Sequence, residues 1–144
     1  MYSRLVYETQ LAQTATSFPY ALELSGQFVI QVKAKRDAGL DAIEDLVWQE
    51  LHTLRENGCT ESELAKAKNR YEAGYLKSMM TSQSRADALN GYRVFFKDTA
   101  GINAQLDRIR GVNCENIREV AGYLVESSAV VLNWVRSSKK NRAS

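Results

Sequence analysis

Few side chains in this sequence are of a type that does chemistry at neutral pH, and their spacing limits what they can do. The single histidine, His52, is expected mid-helix beside Leu51, off the apolar stripe. Glu50 is two positions away and points elsewhere on a helix. Neither H-E-x-x-H nor H-x-x-E-H occurs, and an imidazole metal site needs a second ligand at helical spacing. A serine–histidine–acid triad is spatial, so spacing does not test it, but there is no G-x-S-x-G elbow. His52 therefore reads as a surface histidine. The two cysteines, Cys59 and Cys114, are 55 positions apart and in no metal-ligand spacing. They read as two free, partly buried thiols. The eight glycines are scattered, so no phosphate-binding loop forms. The acids Glu44, Asp45, Glu61, Glu63 and Glu115 fall on first turns or solvent faces, where they complement helix dipoles. Tyr71, Tyr75 and Met79 recur at helical spacing and read as a core stripe. The residues alone define no active site.

Composition agrees with an ordinary folded domain. The 144 residues are 44% hydrophobic and 25% charged, with one proline. No apolar run approaches the roughly 18 to 20 residues of a membrane span, and no signal peptide is visible. Net charge is +2, but Arg136, Lys139, Lys140 and Arg142 sit in the last nine residues without an acid. The remaining 15 basic residues face 17 acidic ones. The folded part is thus mildly acidic, and residues 136–144 read as a basic, disordered tail. No basic face with interleaved aromatics is evident, which argues against a nucleic-acid domain.

The elements that must position these residues follow from periodicity. Leu5, Val6 and Leu11 suggest a short helix within 3–13. Residues 14–36 switch to a period of two, with Phe28, Ile30, Val32 and Ala34 on one face. This predicts a hairpin with strands near 14–20 and 27–35, turning at Ser25-Gly26. Pro19 cannot donate a ladder bond, so its strand is an edge or ends there. Leu40, Ile43, Val47, Leu51 and Leu54 form the stripe of a helix that Asp37 can cap and Asn57-Gly58 stops. Thr60 with Glu63 forms a capping box for a helix running to about residue 82. Further helices are expected over 84–98 (Ala88, Leu89, Tyr92, Phe96), around Ile102–Ile109, and from Asn113 through Ile117, Val120, Ala121 and Leu124. The β-branched run AVVLNWV, 129–135, is expected to be a strand. The fold class is α+β: an antiparallel sheet of about three strands with several helices on one face, in one domain over 1–135.

With those elements in order, the string NGCTESELAKAKNRYEAGYLKSM resembles the C-terminal-type domain of the insulinase, or pitrilysin-like, zinc metallopeptidases, a group that includes the mitochondrial processing peptidase type. The family pattern is a glycine, a Thr-x-x-Glu-Leu, then an Ala-Lys-Asn leading a long helix; here these are Gly58, Thr60, Glu63, Leu64, Ala67, Lys68 and Asn69. SRLVYETQLAQTATSF, FVIQVKAK, ALNGYRVFF, LDRIRGVNCENIREVAGYL and AVVLNWV are similar to further family segments in the family's order, covering about residues 3 to 135.

The resemblance implies a zinc held by an H-x-x-E-H helix in a different domain, so no cofactor is expected on this chain. It also implies an arginine and a tyrosine seven residues apart in the entry segment, which help hold substrate and transition state. The matching positions are Val6 and Gln13. Valine lacks the bidentate charge of arginine, and glutamine lacks the phenol. The family's opening strand and helix are missing, which implies a truncated module with an open sheet edge that invites pairing with a second copy. The expected function is that of a non-catalytic domain of a zinc metallopeptidase, forming chamber wall and packing against other domains or a paired subunit, with a peptide as the parent's substrate. The alternative is an inactive homologue that binds peptides or proteins; an unrelated enzyme using His52 is a third reading. A periplasmic or envelope setting would follow if the parent is bacterial.

Overall fold

A computed structural model describes residues 1–135; the tail expected over 136–144 lies outside the described residues. The chain opens with a π-helical turn, Ser3–Glu8, closed by the Thr9 amide donating 2.9 Å to the Arg4 carbonyl. Gln10 takes a positive φ of 55° and turns the chain into β1 (Ala12–Ala21), which pairs antiparallel with β2 (Gly26–Ala34). The hairpin is as expected, though β1 begins two residues earlier. Pro19 lies inside β1 opposite Phe28, and as one of the two strands among the described residues β1 is an edge.

One irregularity sets the face of β1. Ala12 pairs with Ala34 and Thr14 with Lys33, so Gln13 bulges out without a partner. The extra residue shifts the alternation by one position. As a result Ala12 and Ala15, three apart, both turn inward and are buried. There they meet Leu5 and Ile43, with Val32, Ala34, Leu46 and Val47 packed around them. This is the main core of the molecule.

Helix α1 (Leu40–Asn57) buries the expected stripe through Ile43 and Leu51. Its N-cap is Gly39 rather than Asp37, and no side chain caps it. Gly58 ends it at φ 68°, ψ −159°, a backbone state in which a side chain is strained. Helix α2 (Glu61–Ser78) has the full capping box: the Glu63 amide donates 3.2 Å to Thr60 Oγ1, and the Thr60 amide donates 2.9 Å to Glu63 Oε2. It stops at Ser78, because Thr81 caps a new helix, α3 (Ser82–Phe96), by accepting from the Ser84 amide. Helices α4 (Gln105–Gly111) and α5 (Cys114–Ala121) follow, the latter with an Asn113–Asn116 capping box.

The fold is α+β with helices dominant, but the sheet has two strands among the described residues, not three. Residues 129–135 form no strand. Ala129 is extended, at φ −101° and ψ 153°, as β-branched neighbours favour. A strand also needs a partner edge, and Ala129 and Val131 instead line a shallow pocket with Glu44, Asp45 and Trp48 of α1. Nor do all the helices cover one sheet face. The π-turn and α1 pack on the hairpin, α5 packs on α1, and α2, α3 and α4 pack chiefly among themselves and the turn at 100–102.

Candidate functional site

The largest concavity among those described is an open groove of about 770 Å³ between the π-turn, α1 and the segment 124–127. Arg4, Trp48, His52 and Arg55 line one part; Leu124, Val125 and Glu126 line the other. Arg4 is fixed there by α1: its Nη1 donates 3.0 Å to Glu50 Oε1 and its Nη2 donates 3.0 Å to Gln49 Oε1. Partial burial works to raise the Glu50 pKa. The N-terminal ammonium, then Arg4, outweigh it and hold the carboxyl below its usual range. Of the groove's charged groups, Arg4 is held by Glu50.

His52 is exposed on the groove wall. Among the described residues, no three His, Cys, Asp or Glu side chains converge in a way that could hold a metal ion. The donor set for a zinc centre is therefore not assembled in this part of the molecule.

Val6 and Gln13 are both near the entrance to β1, but their environments differ. Val6 is half-buried and packs against the core around Leu5. Gln13 is exposed on the β-bulge. A bulge re-aims a side chain and occurs often beside functional sites, but here it presents an amide.

Tyr71 and Tyr75 stack with ring centroids 6.5 Å apart and planes 9° from parallel. They do not form the expected core stripe, since Tyr71 is exposed and Tyr75 and Met79 are half-buried. Tyr75 Oη donates 2.9 Å to the Ile102 carbonyl, and Gln105 Nε2 donates 2.7 Å to Tyr71 Oη. Gln105 Oε1 in turn accepts 2.8 Å from Tyr92 Oη. Burial, then Tyr92 and Tyr71, raise the Tyr75 pKa, so its hydroxyl stays a donor. These bonds tie α2, α3 and α4 together. No periodicity rule would have revealed them, because Gln105 meets its partners through the tertiary fold.

Two surfaces are unusually apolar. The far half of the hairpin exposes Phe18, Tyr20, Leu22, Leu24 and Phe28, with Leu24 at 96%. On the helical side Leu89, Phe95, Phe96 and Val120 are open, although Leu89, Phe96 and Val120 fall on expected apolar stripes. No helix among the described residues is long and apolar enough to cross a membrane.

Residues 1–71 match the sequence model of the peptidase M16 inactive domain. No curated protein sequence matches the chain. Among solved structures, the fold is similar to the inactive peptidase domain of a proposed zinc protease from Bordetella parapertussis, with TM-score 0.81 and 19% identity over 94% of this chain and 73% of that one. A proposed zinc protease from Bordetella pertussis Tohama I gives TM-score 0.72 and 19% identity over 84% of this chain and 67% of that one. A protease from Helicobacter pylori gives TM-score 0.73 and 21% identity over 83% of this chain, which spans only 29% of the Helicobacter protein.

Proposed function

We propose, from the premise that this chain belongs to the M16 peptidases as an inactive-type domain, that it serves as a structural partner of a zinc-bearing domain. The matching family is an inactive domain, and this chain is not itself catalytic. Its role is to form part of the wall of a substrate chamber and to pack against domains that carry the metal. The zinc belongs to another domain of the parent or to a paired subunit, where it would activate water for peptide hydrolysis. The substrate of that parent is a peptide.

The observation that carries this reading is the set of large apolar side chains left open on the hairpin and on the helices. A two-stranded hairpin is marginal by itself, and here it exposes five large apolar side chains beyond the reach of α1. Phe18 and Tyr20 lie on one face of the hairpin and Phe28 on the other, and large exposed apolar side chains on both faces mark surfaces that a neighbour can cover.

The positions of the family's auxiliary arginine and tyrosine are Val6 and Gln13. Val6 is committed to packing and Gln13 cannot act as a phenol, so neither position assists a neighbouring metal site. The alternative, an inactive homologue that binds a peptide or protein partner, is favoured by the two open strand edges. It also accommodates a homodimer.

Mixing the chain with an H-x-x-E-H domain encoded in the same genome, followed by light scattering, tests the first reading. A one-to-one complex is expected, with loss of hydrophobic-dye binding at the hairpin. A chain that stays monomeric beside that domain overturns it. A chain that forms only its own dimer, or binds peptide without the zinc-bearing domain, supports the alternative.

A further inference from the structure

Cys59 and Cys114 are free thiols from distant parts of the sequence, and the fold places their sulfurs 3.3 Å apart. Cys59 stands between Gly58, which ends α1, and Thr60, which caps α2. Cys114 is the first residue of α5. Each cysteine adjoins a capping box, and the packing of α5 on α1 brings the two sulfurs together. Both residues are half-buried, which leaves them accessible to a small reagent. A disulfide bond is about 2.05 Å long, so closure requires the sulfurs to move about 1.3 Å nearer.

We infer that Cys59 and Cys114 are a modification site: they close to a reversible intramolecular disulfide by exchange with a low-molecular-weight disulfide such as oxidised glutathione. The Cys59 thiolate attacks one sulfur of the reagent, forms a mixed disulfide and expels a thiolate, which takes up the proton that Cys59 released. Cys114 then attacks the Cys59 sulfur, releases its proton and expels the second thiolate. Two protein thiols lose two electrons and two protons; one reagent disulfide becomes two thiols.

The order of attack follows from the surroundings of the pair. The hydrogen bond with Cys59, then burial, then Glu61 push the Cys114 thiol up to about 12, so it is the poorer first nucleophile. Once Cys59 is in the mixed disulfide, the largest of those restraints is gone. The finished bond staples the α1–α2 junction to the start of α5. The two cysteines are 55 positions apart, and closing a loop of that length constrains the unfolded chain.

The test is to titrate the full chain with glutathione redox buffers and map tryptic peptides without reduction. The expected product is peptide 56–66 joined to peptide 111–118, with the melting temperature raised by about 10 °C. Reduction should restore the lower value. Cys59→Ser should show no such rise and should carry glutathione on Cys114 or leave it free. Thiols that stay free in excess oxidised glutathione overturn the inference. So does a stable glutathione adduct on the wild type, a disulfide between two chains, or an equal thermal gain in Cys59→Ser.

Discussion

The region up to the end of α1 and the region beyond it are held together by different forces. In the first, Leu5, Ala12, Ala15 and Ile43 form a contiguous buried cluster, and the hairpin and α1 close over it. In the second, Leu64, Gly101 and Ala121 are the buried residues among those described, and they do not join a cluster. Caps and tyrosine hydroxyls link its helices instead. An apolar core stabilises a domain by itself. A shell of hydrogen-bonded helices with open apolar faces is completed by something packed on it. In this account the first part sets the fold and shares with the second part the surface offered to a neighbour.

Substitutions in the two regions should separate these roles. Leu5→Ala removes the one large side chain that is wholly buried, and should cost about 2–5 kcal/mol in urea unfolding. A loss under about 1 kcal/mol would dissolve the contrast, since the first region would then have no real core. Gly58→Ala should cost about 1–3 kcal/mol. Nothing lies within 4 Å of the added methyl, so the penalty comes from the backbone at φ 68° alone. Tyr75→Phe removes the donor to the Ile102 carbonyl and should cost about 1 kcal/mol, read by thermal melts. A neutral result would mean that hydroxyl bonds do not hold the second region.

The smallest effect concerns the Glu63 carboxylate. Hydrogen bonds from the Thr60 amide, then from its hydroxyl, hold its pKa below the usual value. A depressed folded pKa contributes stability above the unfolded pKa, about 4.3, that is lost as pH falls through the folded value. Glu63→Gln should therefore be slightly less stable than wild type at neutral pH and equal to it in acid. A difference that persists unchanged in acid would show that the charge is irrelevant to the cap.

What was legible in the sequence was local. The partners of the Thr60–Glu63 box are three positions apart and show in spacing alone, and the α1 stripe and the hairpin repeat at their own periods. The M16 resemblance likewise rested on short ordered strings, and the family match falls on residues 1–71. What was not legible depended on contacts between distant segments. The bulge at Gln13 appears only when β1 is paired with β2. AVVLNWV has the residues of a strand, but a third strand needs an edge that residues 129–131 do not reach. Val120 fits a helical stripe and yet is 60% exposed, because periodicity says which residues share a face and not what covers it. The meeting of Cys59 and Cys114 had no sequence signal at all.

The central claim is that this domain supports peptide cleavage without performing it. The direct measurement is zinc content and turnover on one preparation: equilibrate the purified chain with zinc, remove the excess, determine bound metal by mass spectrometry, and follow hydrolysis of an unfolded protein substrate. Substoichiometric zinc and no cleavage are the predicted results. One zinc per chain, with hydrolysis abolished by a chelator and restored by zinc, would contradict the account.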